Sequence, residues 1–529
     1  MRKPVLGILL LSALLLVVGA FPAVATGKSE PATSTKPPAA APAALPYAER
    51  FEMSIMRPDL AAFDNAAVIE NEIDRRLNMK TTWIKVSANY LEKLNVTLAS
   101  GDLPDMVYMQ NYDQLYQWVR EGAAIDLTNL IAKYGANINK RFSADDKKLM
   151  KNPLDGKVYG VAGIVELKEL NTLGIRKDWL DNLGLQIPET LAEWENVLRQ
   201  LKAKDPAGNQ STIPWGGNTT DLAGLAALRP FYEAYGIMME GAHLRWTLTK
   251  DNKYISTFEH PRYRELLTTL RKLYADGLID KEFMVRKTPL EVQQLFHSGR
   301  AAAGVHAAWT AQQLTNTLIT TNPKAVILPV KPIKGPYGDQ MLRGRPKYFN
   351  PAAISIKAQK AGKAEKVMQR LDWVYSDGGI ELLNFGIEGI HHKKVDGKPV
   401  LIGEYTKGWA ALRKDGLNPF LIGFYWSLDA YKQSMLSGKK LEELTPLERI
   451  PYDGLFMNTP YIYTPLLTLV TKADQELGAD IFPFLEENEV KAIVGGITID
   501  QFFQALERAK KDGLDKISAE TAEQWKRIQ

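Results

Sequence analysis

A chain of 529 residues exceeds what one hydrophobic core usually serves, and its 45% hydrophobic and 24% charged residues describe a packed soluble protein with two domains or lobes. Its 66 basic and 61 acidic residues leave a net charge of only +5 and form no basic stripe, which argues against nucleic acid as a partner. The absence of cysteine excludes disulfides, thiolate catalysis and thiolate metal ligands.

The N-terminus reads as an export signal. Arg2 and Lys3 precede the apolar run Val5 to Val18, and Ala23-Val24-Ala25 supplies the small residues signal peptidase accepts, so residues 1–25 are expected to be removed. A retained membrane anchor is the competing reading, disfavoured because the run is short and no stop-transfer pattern follows. Residues 26–46 are rich in Pro and Ala and lack large apolar side chains, the composition of a disordered tether. The fold is expected to begin near Tyr47.

Phe51 to Ile55 alternates apolar and polar residues as a strand does, Ala67, Ile69, Ile73 and Leu77 recur at helical spacing, and Thr81 to Val86 returns to strand character. Strand, helix and strand in this order open an α/β lobe. A helix from Tyr90 ends at Gly101, Asp102 can hold the turn, and a short buried strand follows at Met106 to Tyr108. Ligands of open α/β folds sit beyond the carboxyl ends of such strands, which makes Asn111 and Tyr112 pocket candidates; capping the next helix is their competing role.

The chain from Gly163 to Ile175 looks extended and suits either a hinge strand or an interior strand. Thr190 with Glu193, and Thr288 with Glu291, have capping-box spacing at two helix starts. Asp205 to Ser211 is oxygen-rich, but Ala207 brings no ligand and Pro206 stiffens the loop, so Asp205 and Asn209 are weak calcium candidates and no metal is expected. Trp215 lies in the glycine-rich run Trp215-Gly216-Gly217-Asn218, where an exposed ring would suit a sugar. From Phe296 to Trp309 a helix ends at Gly299 and small residues follow, a pattern read as a crossover between lobes with Trp309 near the seam. An ordinary buried strand is the alternative.

No phosphate loop, dinucleotide fingerprint or His-Glu-x-x-His motif is present, so no cofactor is expected. Adjacent residues point different ways, which weakens His391 and His392 as joint metal ligands, while His391 is a candidate ligand contact beside Glu388. Glu388 could serve a glycosidase, yet no partner carboxylate declares itself; accepting hydrogen bonds from sugar hydroxyls is its other role. Trp215, Trp309, Trp409, Tyr425 and Trp426 are candidates to stack on sugar faces, each equally able to sit in a core.

The chain resembles the extracellular solute-binding protein family 1 of ABC importers, in its large oligosaccharide-associated branch, from about Tyr47 to Trp525. The resemblance rests on Leu98-Ala99-Ser100-Gly101-Asp102-Leu103-Pro104-Asp105-Met106, Asp155-Gly156-Lys157-Val158-Tyr159-Gly160, Arg176-Lys177-Asp178-Trp179-Leu180 and Phe385-Gly386-Ile387-Glu388-Gly389-Ile390-His391. It implies a type II-like periplasmic-binding-protein fold: two α/β lobes joined by crossover hinge strands around a ligand cleft. It places one lobe at 47–162 plus 302–352 and the other at 163–301 plus 353–529. It further implies a non-enzymatic monomer that closes on an oligosaccharide or other polar solute and docks on ABC permease subunits.

Two departures qualify the resemblance. The lipobox cysteine common among relatives is missing, with Phe21 or Thr26 near its place, so a periplasmic or secreted protein without a lipid anchor is expected. Relatives can carry an acidic cation loop at the place of Asp205 to Ser211, and this chain has Ala207 where an acid is wanted, which argues against calcium. An exported glycosidase or lyase is the alternative function, and a sensory binding module a third.

Overall fold

The structure, a computed structural model, describes residues 47–528 apart from 59–66, 153–154, 167, 169–170, 219–223, 240–244, 287, 345–347, 408–410, 412–413, 418–424, 437, 464–468 and 470. The expected signal peptide (1–25) and tether (26–46) lie outside the described residues, as does Trp409.

Two sheets organise the chain through ten strands: β1 (Phe51–Pro58), β2 (Met79–Val86), β3 (Met106–Tyr108), β4 (Val161–Val165), β5 (Asn171–Arg176), β6 (Ile213–Asn218), β7 (Ala301–Ala307), β8 (Ile327–Val330), β9 (Tyr348–Ile354) and β10 (Tyr425–Trp426). The first sheet runs β10-β4-β9-β3-β1-β2 and the second β8-β5-β7-β6. In the first, β1 is parallel to both neighbours, with Ile55 opposite Trp83 and Met106. In the second, β6 is parallel to β7, and β5 antiparallel to it.

Apolar runs decide these positions. Every residue of β4, β5 and β7 is buried, the state of strands covered on both faces. Helices supply that cover through amphipathic faces, as where Val367, Met368 and Leu371 of helix Ala364–Trp373 enter the first core. The second core takes Phe482, Leu485 and Ile493 from the long helix Lys472–Val494, then Phe502, Leu506 and Ile517 from the helices after it.

The expected capping boxes are present. Thr190 Oγ1 accepts from the Glu193 N–H while Glu193 accepts from the Thr190 N–H, and Thr288 with Glu291 does the same.

Three expectations need correction. Residues 301–307 do not cross between lobes: β7 lies between β5 and β6 inside the second sheet. The stretch 302–352 therefore does not belong with 47–162 as one unit, since Ala302, Ala303, Val305, Val330 and Ile333 are all in the core shared with Leu173 and Phe482. Conversely β9 pairs with β3 and β4, and the residues from Ala352 to Ala430 that are buried on the first sheet share its core, so only the later part of 353–529 lies with the second. Trp215, expected exposed in a loop, lies in β6 with no exposed surface.

Candidate functional site

Because β1, β2 and β3 run parallel, their carboxyl ends emerge on one side of the first lobe, at Pro58, Val86 and Tyr108. In the second lobe β6 and β7 end together at Asn218 and Ala307. The chain passes between the sheets from Val165 to Asn171, again from Arg343 to Tyr348, and a third time after Trp426.

A small apolar cluster marks these passages. Val165 at the end of β4, Ala308 just beyond β7, Tyr431 and Leu455 pack together, with Trp426, Leu428, Met435 and Phe456 against them. The Tyr431 and Trp426 rings meet edge to face with centroids 5.6 Å apart. Asn384 fixes the approach of β10: its Nδ2 donates to the Tyr425 carbonyl at 2.8 Å, and its Oδ1 accepts from the Ser427 N–H at 2.9 Å. Tyr425 donates its hydroxyl hydrogen to Glu166, whose other oxygen accepts from the Leu428 N–H at 2.7 Å. Burial first, then the Glu166 carboxylate, pushes the Tyr425 hydroxyl well above the ordinary phenol value. The Arg141 guanidinium lies 5.5 Å from the centre of the Tyr425 ring.

The other candidates fall into distinct environments. Asn111 caps helix Tyr112–Arg120, with its side chain accepting from the Gln114 N–H at 3.0 Å, while the residue itself is exposed beyond β3. Tyr112 is buried, tilts against Tyr116 with centroids 5.8 Å apart, and its hydroxyl has no partner among the described residues. Trp215 is a core residue: Nε1 donates to the Ala227 carbonyl at 2.8 Å, and the ring meets Trp194 and Phe231 edge to face. The glycine after it serves packing, since a Cβ on Gly216 would come within 2.8 Å of the Ala301 methyl. Trp309 lies in the first turn of helix Ala308–Leu318, directly after the Ala308 of the inter-lobe cluster.

Glu388 is exposed on the turn after Gly386. His391 points inward from the same turn, its Nδ1 accepting from the Ile387 N–H at 3.0 Å and its Nε2 lying 3.2 Å from Asp415 Oδ2. Burial holds its basicity below the ordinary imidazole value, with Asp415 pulling the other way. Asp205 ends helix Leu191–Lys204 in a left-handed conformation, and its two carboxylate oxygens accept from the Gln210 and Thr212 N–H groups at 2.6 and 3.0 Å. Asn209 is exposed with φ of 55°.

Tyr425 and Trp426 thus stand together at the passage between the lobes, Asn111 at the open end of the first sheet, and Trp215 away from both. Glu166, Asn384 and Tyr431, which no sequence pattern singled out, hold the passage together. Glu166 and Asn384 find partners 259 and about forty residues away, so no local spacing marks them. The assembled groups are aromatic faces, amides and hydrogen-bond acceptors, chemistry that holds a polar ligand. A surface groove of about 550 Å³ elsewhere, lined by Arg264, Asp500, Phe503, Glu507, Arg508 and Asp512, includes none of the candidates and has its charges largely matched.

Comparison with known proteins agrees with this architecture. Residues 79–381 match the family described as bacterial extracellular solute-binding protein. Lipoprotein LipO of Bacillus subtilis (strain 168) is 27% identical over 444 residues, 82% of this chain and 84% of LipO. The polygalacturonan/rhamnogalacturonan-binding protein YtcQ of the same organism is 25% identical over 469 residues, 86% of this chain and 87% of YtcQ. Among solved structures, the alginate-binding protein AlgQ2 without calcium ion superposes with a TM-score of 0.72 at 21% identity, covering 92% of this chain and 100% of AlgQ2. The match spans more than half the chain in sequence and most of it in fold, and the protein belongs to the bacterial extracellular solute-binding protein family.

Proposed function

We propose that this protein captures an oligosaccharide outside the cytoplasm and delivers it, unaltered, to the membrane permease of an ABC importer. The observation that carries this reading is the pair of α/β lobes, each presenting the carboxyl ends of parallel strands, joined at a passage where Tyr425 and Trp426 stand beside the Val165–Ala308–Tyr431–Leu455 cluster. Relatives whose names specify polygalacturonan/rhamnogalacturonan and fructooligosaccharide support a sugar as the solute.

On this reading one lobe comprises 47–165 and about 348–430, the other about 171–343 and 446–528. The sugar lies between the strand ends, stacking on Tyr425 and Trp426 and bonding to Asn111; Trp309, Trp409, Glu388, His391 and Tyr112 are given no contact with it, and Trp215 contributes only to the second lobe's core. Signal peptidase cleaves after Ala25, and the mature chain, without the cysteine a lipid anchor needs, is not lipid-anchored and acts as a monomer.

The test is a thermal-shift screen of the mature chain with neutral and acidic oligosaccharides, followed by mass spectrometry of each mixture. A ligand at a hundred times its Kd adds about 2.7 kcal/mol of native stability. A raised Tm with unchanged sugar is expected. Consumed sugar would overturn the reading in favour of a glycosidase or lyase, and no response to any sugar would overturn the solute class.

A further inference from the structure

The turn that follows helix Asp377–Phe385 carries a second cluster of groups that the sugar-binding reading does not use. Glu381 projects from the helix, Glu388 from the turn and His392 from the first residue of strand His392–Val395. Their ligating atoms lie within 4.8 Å of one another.

The imidazole is the informative member. His392 has no exposed surface, and its Nδ1 is 3.1 Å from the Phe385 carbonyl oxygen. A carbonyl can only accept, so Nδ1 carries the hydrogen. In the neutral ring Nε2 then presents a lone pair, and it faces Glu381 Oε1, another acceptor, at 3.2 Å. At this separation the pair is joined either by a proton on Nε2 or by a metal cation between the two atoms, and the test below separates the two. A histidine whose far nitrogen is pinned by a backbone carbonyl while the near one faces carboxylates is the arrangement that orients a metal ligand.

The spacing agrees. Tetrahedral zinc with bonds of about 2.0–2.2 Å places neighbouring ligand atoms about 3.3 Å apart, close to the His392–Glu381 separation. The turn is built to hold this orientation. Gly386 has φ of 78°, and a Cβ there would reach within 2.6 Å of the His391 ring, so His391 packs inward and His392 is left facing the acids. The Gly389 N–H donates to the His392 carbonyl at 2.8 Å and closes the turn. Lys394 Nζ lies 3.1 Å from Glu381 Oε2 and 3.8 Å from Glu388 Oε2, a resident cation that competes for the carboxylates without touching the Glu381 oxygen that faces His392.

We propose that Glu381, Glu388 and His392 bind a divalent transition ion, Zn²⁺ foremost, with water in the remaining coordination. One imidazole and two carboxylates suit zinc, cobalt or manganese, and the exposed Glu388 closes onto the ion from the turn.

The test is titration of the EDTA-treated mature chain with ZnCl₂ near neutral pH, followed by thermal shift and calorimetry. Binding of one Zn²⁺ with a raised Tm is expected. Glu381→Gln and Glu388→Gln, which keep shape and remove charge, each weaken Zn²⁺ at least about tenfold, as does His392→Gln. Lys394→Met tightens it, because the competing cation is gone. Circular dichroism of each variant checks its fold, and no sugar is needed for any of these readouts. The proposal is overturned if Zn²⁺ leaves the wild type unchanged, or if its effect survives Glu381→Gln and His392→Gln alike. A Tm that responds to pH through His392 but not to Zn²⁺ would also overturn it, identifying a proton as the bridging cation.

Discussion

Tyr425 donates a hydrogen bond to Glu166 across 259 residues of sequence, tying β10 to the segment that leaves β4 for the second sheet. Glu166 also accepts from the Leu428 N–H, so one exposed carboxylate secures two points of the passage between the lobes. Tyr425→Phe keeps the ring and removes one hydrogen bond; a loss of about 0.5–1.5 kcal/mol in denaturant unfolding is expected. Sugar affinity should persist in Tyr425→Phe and fall in Tyr425→Ala if the ring is the ligand contact. Equal affinity in both variants would remove Tyr425 from the site.

Glu489 is buried in the second core, where Tyr232 and Tyr263 both donate to its carboxylate. Burial outweighs those donors and raises it from 4.5 to about 7. The sign follows: a raised folded value makes the stabilising contribution complete below the ordinary carboxylate range and removes it as pH climbs through about 7. Between about pH 5 and pH 8 the wild type should lose stability on the order of 3 kcal/mol from this group. Denaturant midpoints across that range should be flatter in Glu489→Gln; an unchanged slope would place the pH dependence elsewhere.

Trp215 separates packing from binding. Trp215→Ala leaves a large cavity against Trp194 and Phe231 and should cost about 3–5 kcal/mol. Trp215→Phe loses the bond to Ala227 and less volume, and should stay folded with sugar affinity intact by calorimetry. A selective loss of affinity in that variant would return Trp215 to the ligand site.

The loop at Asp205 closes on its own backbone. Hydrogen bonding, led by Thr212, holds the Asp205 carboxyl below its ordinary value, so its contribution is present above the usual carboxylate range and is lost as pH falls through the lowered value. Asp205→Ala should lower Tm near neutral pH. Calcium should shift the wild-type Tm no more than magnesium does, because both carboxylate oxygens already accept N–H bonds. A calcium-specific rise that Asp205→Ala abolishes would show that this loop does take the ion.

Local chemistry was legible and remote pairing was not. Thr190 with Glu193 and Thr288 with Glu291 declare helix starts because both partners lie within one turn. The apolar spacing of helix Leu191–Lys204 announces the buried face on which Trp194 sits, and the Trp194 ring has no exposed surface. By contrast, Gly216 and Gly217 suggest a loop, yet they belong to a strand whose close approach to Ala301 leaves no space for a side chain. His391 and His392 do point in different directions, as neighbours do, but only the fold brings Glu381 to one and Asp415 to the other.

Taken alone, the sequence determined the α/β alternation, the helix caps, the export signal as an expectation and the family, all of which depend on residues near one another or on ordered motifs. Only the tertiary structure decided that β7 belongs to the second sheet, that Ala352, Met368, Leu382, Leu401 and Ala430 enter the first core, and that Tyr425 meets Glu166. The physical reason is that a buried apolar strand such as Ala301–Ala307 is compatible with either sheet by composition, and its place is set by hydrogen-bonded neighbours more than eighty residues away in the chain.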